Sequence, residues 1–445
     1  MAMSDHSVGS GGRLSVLSET ALERLDAAAL DVLATVGVSM PSPVAQAALM
    51  AAGAHVDGAR VTLEPGLVRE LVARAPRRLT LGGRVAPPLV TGGRSLLTTD
   101  GCCVEIYDLD TGEKRATVAD DVVAITRVVD GMDQIDFVWP SVSAQDRPAA
   151  TRGLHELYLT LANTGKHVQT VTVVEPQAAA VATEMARAVA GGEARLRAEP
   201  PISALLGTVT PLGNDAGTLE TGLAFAAAGI PIGFVTMPMG GSTTPITMAG
   251  SLVVGIAEAL SAVAMIQAAH PGAPVFICFI PSVMDLKTGD FTGGAPEDTI
   301  MGAAVGDVGH FYGLPTQCGV NSSGAKLPGW QSALDDVTTT LLSMAAGVDM
   351  LTGVGMVSGG RIFSFQEVVL AAEIAAQARA IMAGIALDGR PLDAAAGWAA
   401  GEPPSRERGA PDERATARVR ELQRTHEPPA LDPDLDAELR RLIDA

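Results

Sequence analysis

At 445 residues the chain can form one barrel of roughly 250 residues with additions, or two or three ordinary domains. Hydrophobic residues make up 47% and aromatic residues only 3%, so the core must be built from Ala, Val, Leu, Ile and Met. A formal charge of −19 repels phosphate backbones and anionic lipid faces, which argues against nucleic acid and membrane partners and suits a protein that handles cations.

The first segment, MAMSDHSVGSGGR, has no apolar stretch of signal-peptide type, so a cytoplasmic setting is expected. Residues 14–82 read as mostly helical. Ser18 sits at a capping position ahead of Leu22, Leu25, Ala29, Leu30 and Leu33 at helical spacing. Residues 56–63 carry a hairpin signal with Asp57-Gly58 as its turn, and Glu64-Pro65 starts a helix over 66–75. A second hairpin is predicted from 104–107 and 114–117 around Asp108-Leu109-Asp110-Thr111-Gly112.

Short apolar runs then alternate with longer helical segments. Strands are predicted at 95–99, 135–140, 167–173, 202–210, 230–238, 273–281, 314–320 and 348–353. Helices are predicted at 118–132, 149–164, 177–190, 215–228, 245–269, 296–312, 328–346 and 365–382. The strands are continuously apolar, as parallel strands buried on both faces should be. Eight such units predict an α/β fold, a (β/α)8 TIM barrel over 95–385. Residues 1–94 form a helical addition with a hairpin. Residues 386–445 form a C-terminal arm, partly extended or disordered, with one helix at 436–443, that wraps a neighbouring subunit. A homo-oligomer is expected. Residues 246–269 are apolar enough to span a bilayer, but Glu258 near their centre and the lack of a basic flank favour a buried helix.

Barrel chemistry sits where strands end. Four ends are rich in small and polar residues: 207–213 (GTVTPLG), 236–245 (TMPMGGSTTP), 281–285 (PSVMD) and 319–326 (GVNSSGAK). Cys102, Cys103, Cys278 and Cys318 have neither disulfide-framework nor zinc spacing, and no phosphate loop is present. Asp307-Val308-Gly309-His310 is near a cobalamin-binding Asp-x-His pattern, but its spacing is one residue too long and it lies inside a predicted helix. No cofactor or metal is therefore expected on this chain. Position at the mouth makes Thr208, Thr236, Met237, Asp285, Asn321 and Ser323 candidate substrate contacts, with Lys326 and Gln331 slightly further out. Asp285 and Glu220 are the acidic candidates. Trp139, Phe279, Trp330 and Phe363 are aromatic candidates for facing an ammonium cation.

The stretches 236–250, 271–290, 294–315 and 30–58, the hairpin at 110–113 and the tail at 425–429 together resemble the trimethylamine methyltransferase family over nearly the whole chain. The resemblance implies a barrel whose upper face holds a methylated amine. It also implies a separate small corrinoid protein whose Co(I) takes the methyl group. With only standard residues, the chain resembles the branch without pyrrolysine, which includes glycine betaine methyltransferases. A quaternary ammonium leaves as a neutral amine, so the enzyme need only desolvate it, align it and exclude water. On this reading Asp285 is the counter-ion, Phe279 or Trp330 the aromatic face, and Lys326 the partner of a betaine carboxylate. The chain departs from the family pattern at Gly324-Ala325-Lys326, at Gly329-Trp330-Gln331 and in a shortened segment over 383–398. Two other readings fit the composition: a non-catalytic binder of quaternary amines, or an unrelated barrel lyase or aldolase using Lys326 as a Schiff-base amine.

Overall fold

Eight parallel segments close into a ring in the computed structural model, which describes residues 13–320, 323–384 and 411–444. Seven are regular strands: Leu96–Thr99, Val168–Thr170, Ile202–Gly207, Ile232–Thr236, Val275–Phe279, Thr316–Gly319 and Met350–Val354. The eighth segment, second in the chain, is held by parallel bridges from Phe137 to Thr98 and from Val138 to Val168. Met350 and Leu351 pair with Leu96 and Leu97, which seals the ring. The second segment is shorter than the predicted 135–140 because side chains replace its ladder. Asp136 takes the Leu97 N–H (2.8 Å), the Thr98 hydroxyl donates to the Phe137 carbonyl (2.8 Å), and the Trp139 N–H donates to Thr99 Oγ1 (2.9 Å).

Three N-terminal helices, α1 (Glu19–Thr35), α2 (Pro43–Ala52) and α3 (Pro65–Val72), precede the ring. Ser18 caps α1 by accepting from the Ala21 N–H, as its position predicts. Around the ring follow α4 (Ala119–Asp130), α5 (Arg152–Ala162), α6 (Pro176–Ala190), the short α7 (Glu193–Ala198), α8 (Ala216–Ala227), α9 (Met248–Ala269), α10 (Pro296–Tyr312), α11 (Trp330–Ala345) and α12 (Phe365–Met382). The bilayer-length helix α9 is covered by α1, α2 and α3 on one side and by the sheet on the other, so most of it is buried. Its Glu258 accepts the Thr208 and Thr210 hydroxyls (2.8 and 2.9 Å) and the Leu212 N–H (2.7 Å). The charge inside the apolar helix therefore anchors the loop after the fourth strand.

Asp307 also has a structural partner set. Its buried carboxylate accepts from Arg13 (2.7 Å), Ser15 (2.9 Å) and the N–H groups of Val16 and Leu17 (2.8 and 2.9 Å), clamping the segment ahead of α1.

The ring interior is layered. At the N-terminal end a small hairpin, Thr80–Leu81 with Leu89–Val90, plugs the barrel, placing Leu79 and Leu81 among Leu96, Phe137, Phe276 and Met350. Within the barrel His167 Nε2 meets Ser203 Oγ (2.8 Å), and Gln317 donates to Gln169 Oε1 (2.8 Å). Burial lowers His167 to about 4, so this network is neutral at physiological pH. Over the strand ends, the predicted hairpin (Glu105–Tyr107 and Lys114–Ala116) joins Met356–Val357 and Ile362–Phe363 in a four-stranded sheet. That sheet ties the loop after the first strand to the loop after the eighth.

The arm, expected to be extended apart from one helix at 436–443, carries two helices where it is described. Pro411–Thr425 (α13) is helical and packs on α12 and α4 through Ala415, Val419 and Leu422. Pro433–Asp444 (α14) lies on α5 and α6, burying Leu439 and Ile443. Both helices cover their own barrel. Their low apolar content hid this, because a few buried residues per helix suffice against a preformed surface. Most of the shortened segment, residues 385–398, lies outside the described residues.

Candidate functional site

The strand ends enclose a cavity of about 470 Å³. Its walls include Val171, Leu205, Val235 and Ile280; Met237, Met239, Met356 and Phe291 also line it. Three unbranched thioethers give an apolar surface that adapts its shape to a ligand. A second apolar hollow, of about 520 Å³, lies on the flank between α1, α9 and α10, away from the strand ends where barrel chemistry is placed.

The cavity's polar character comes from the end of the first strand. Leu96-Leu97-Thr98-Thr99 runs into Asp100-Gly101-Cys102, and all three of these residues line the cavity. Asp100 Oδ1 accepts the Gly101 N–H (2.7 Å), while Oδ2 is buried with no hydrogen-bond partner. The neighbouring Thr352 hydroxyl directs its proton to the Thr99 carbonyl (2.7 Å). Burial pushes the Asp100 carboxyl up to about 7, against weaker lowering by Gly101 and Thr352. Trp139 lines the same cavity, and its Nε1–H is also buried and without a partner. Gly101 lets Val171 and Trp139 pack against the chain here: a Cβ there would stand 2.7 Å from Val171 Cγ2 and 3.1 Å from Trp139 Cε3. Cys102 has a left-handed backbone (φ 73°) and a side chain open to the cavity. Surrounding protein, then Glu156 and Asp100, push its thiol up to about 12, so it is a neutral thiol rather than a nucleophile.

The mouth is held by loops that bind one another. Gly359 (φ 65°) donates its N–H to the Ser323 carbonyl (3.1 Å), and Ser358 donates to the Ala325 carbonyl (2.7 Å). The loops after the seventh and eighth strands are thus tied to each other.

Of the candidates read from the sequence, Met237 and Trp139 line the cavity. Thr208 is half-buried, bound to Glu258. Thr236 and Phe279 lie on the helix-facing side of their strands. Thr236 Oγ1 sits 3.3 Å from where a Cβ on Gly255 of α9 would be, and Phe279 packs in the outer core. Phe363 is fully buried in the same core and meets Phe365 edge-on. Ser323 turns its hydroxyl to Asp335 (2.7 Å) on α11. Asp285 accepts the Lys287 N–H (2.8 Å) in a surface turn and does not line the cavity. Glu220 accepts from Ser42 (2.9 Å) and fastens α2 to α8. Lys326, Trp330 and Gln331 are exposed and outside the lining, which leaves a Schiff-base lysine without a pocket. Asn321 lies outside the described residues.

Asp100 was missed, although it ends the first strand and precedes a glycine, the same signal used for strands four to seven. An apolar cavity lined by an acid and an aromatic ring is suited to a desolvated organic cation.

The trimethylamine methyltransferase family model matches residues 3–402. A trimethylamine methyltransferase MttB of Desulfitobacterium hafniense is 32% identical over 381 residues, covering 85% of this chain and 77% of that protein. A glycine betaine methyltransferase of Desulfitobacterium hafniense strain Y51 is 25% identical over 465 residues, covering 97% of each. The crystal structure of the Methanosarcina barkeri monomethylamine methyltransferase has the same fold, with a TM-score of 0.55 and 12% identity. It covers 95% of this chain and 85% of that one. Barrel, strand-end cavity and sequence thus agree, and the chain belongs to the trimethylamine methyltransferase family.

Proposed function

We propose that the chain demethylates a methylated ammonium ion held in the strand-end cavity and passes the methyl group to the Co(I) of a separate corrinoid protein. The observation that carries this is that Asp100, with one oxygen unpartnered, and Trp139 line one otherwise apolar cavity. Asp100, rather than Asp285, balances the ammonium charge, and Trp139, rather than Phe279 or Trp330, offers the ring. The apolar walls exclude water and hold the methyl carbon toward the open end. When the C–N bond breaks, its electron pair stays on nitrogen and the amine leaves neutral, so a quaternary substrate needs no proton donor. The corrinoid supplies the nucleophile that accepts the methyl cation.

Exposed apolar side chains around the strand ends support a docked protein partner. Val209, Met237, Leu286, Leu327 and Trp330 follow strands four to seven, and Trp330 is 83% exposed. The test is methylation of Co(I) cobalamin, free and protein-bound, across a panel of tertiary and quaternary methylamines, followed by its visible spectrum. A spectral change that requires both the amine and this chain supports the reading. No methylation with any amine and either acceptor refutes it.

A further inference from the structure

The charges in the described lining of the cavity are one-sided. Asp100 and Cys102 are the ionisable residues of its described lining, and no Lys, Arg or His is among them. Arg361 follows the lining residue Gly360 but is bound to Glu105 (3.1 Å). Lys326 is exposed and outside the lining.

We infer that this site selects methylated ammonium ions whose other substituents are uncharged, and that Asp100 sets this specificity against zwitterionic betaines. The inference rests on the proposal that this cavity holds the methylated amine. A betaine would bring its carboxylate in with its ammonium. That carboxylate would lose its water, meet no cation in the described lining, and share a small apolar space with the Asp100 carboxylate. Among the described lining side chains the Trp139 indole N–H is an unpartnered neutral donor, stronger than the neutral Cys102 thiol. It suits a hydroxyl or ether oxygen on the substrate and is a poor match for a desolvated anion. The cavity therefore rejects a carboxylate by repulsion while accepting a neutral substituent of the same size.

The empty site adds a measurable signature. With Asp100 raised to about 7 by burial, about half the molecules carry its proton at neutral pH. A bound cation stabilises the carboxylate, so binding releases that proton and affinity rises from pH 5 to pH 8.

Choline and glycine betaine share a trimethylammonium group and differ in a hydroxymethyl against a carboxylate, which makes them a matched pair. Calorimetry on the full chain should give choline a Kd at least 10-fold lower than that of glycine betaine. It should also show proton release near pH 7 through a dependence on buffer ionisation heat. Asp100→Asn should weaken choline binding at least 10-fold and abolish the proton release. Glycine betaine binding as tightly as choline, or tighter, overturns the inference and leaves the methylamine reading standing. So does choline affinity unchanged in Asp100→Asn. If neither ligand binds and no methylamine is demethylated, the functional reading itself fails. The wild-type ratio of the two Kd values decides the matter even if the variant does not fold.

Discussion

Replacing Asp100 by Asn should stabilise the protein increasingly as pH rises. Burial holds the folded carboxyl at about 7, against an ordinary 3.8. Below 3.8 both folded and unfolded chains carry the proton. Between 3.8 and 7 the unfolded chain has lost it and the folded chain keeps it, so stability falls as pH rises. Above 7 both are ionised and the loss is complete. At 1.36 kcal/mol per pH unit the full loss is about 4 kcal/mol, of which about 3 falls between pH 5 and 7. An amide of the same shape avoids it. Unfolding entropy of about 2.1 cal/mol/K per residue gives roughly 0.9 kcal/mol/K for this length. The melting temperature of Asp100→Asn minus that of wild type should therefore grow by about 3 °C from pH 5 to pH 8. Differential scanning calorimetry of both proteins across that range, without ligand, measures it. The difference isolates Asp100 from other buried acids such as Glu258 and Asp298, which are also raised by burial. A gap independent of pH, or one that narrows, would refute the burial argument.

Other outcomes follow from the same geometry. Asp307→Ala should free the segment ahead of α1, costing about 3–5 kcal/mol as a buried charge partner is lost; hydrogen exchange over residues 13–18 should accelerate, and unchanged protection would contradict the clamp. Phe279→Ala should cost about 3–5 kcal/mol of stability yet change amine affinity less than about 2-fold. Trp139→Ala should weaken amine affinity about 10-fold, the scale of a desolvated cation–ring contact; equal affinity losses in the two variants would show that strand facing has been misassigned. Trp330→Ala should raise the KM for a corrinoid protein several-fold while leaving amine Kd unchanged, measured by methyl-transfer kinetics and calorimetry; a changed amine Kd would place Trp330 in the substrate site.

The eight βα units were legible because each apolar run is bounded by helix starts and turn residues, and every predicted strand contains a segment of the ring. Which side chains face inward was not. Strands buried on both faces lack alternation, so the run 230–238 gives no sign that Val235 lines the cavity while Thr236 faces α9. Phe279 failed for the same reason: its neighbours Cys278 and Ile280 belong to the inner side. Asp307 drew notice through a near cobalamin-type pattern, and Glu220 as an acidic candidate. Their partners, Arg13 and Ser42, lie nearly 300 and nearly 180 residues away in the chain, beyond any local pattern. Asp100 was readable in principle, since parity is not needed to see an acid at a strand end.

Closure of the ring joins Leu96–Thr99 to Met350–Val354, so the first strand lacks one neighbour until about 250 more residues have been made. At about 5–20 residues per second that is a wait of roughly 12–50 s on the ribosome. During that time one edge of the first strand is unpaired and open to wrong partners. The four-stranded sheet above the same seam is also completed last, since Ile362–Phe363 must find Glu105–Tyr107. The two late pairings should therefore form together, making Asp100 and its cavity among the last features of the protein to exist during its synthesis.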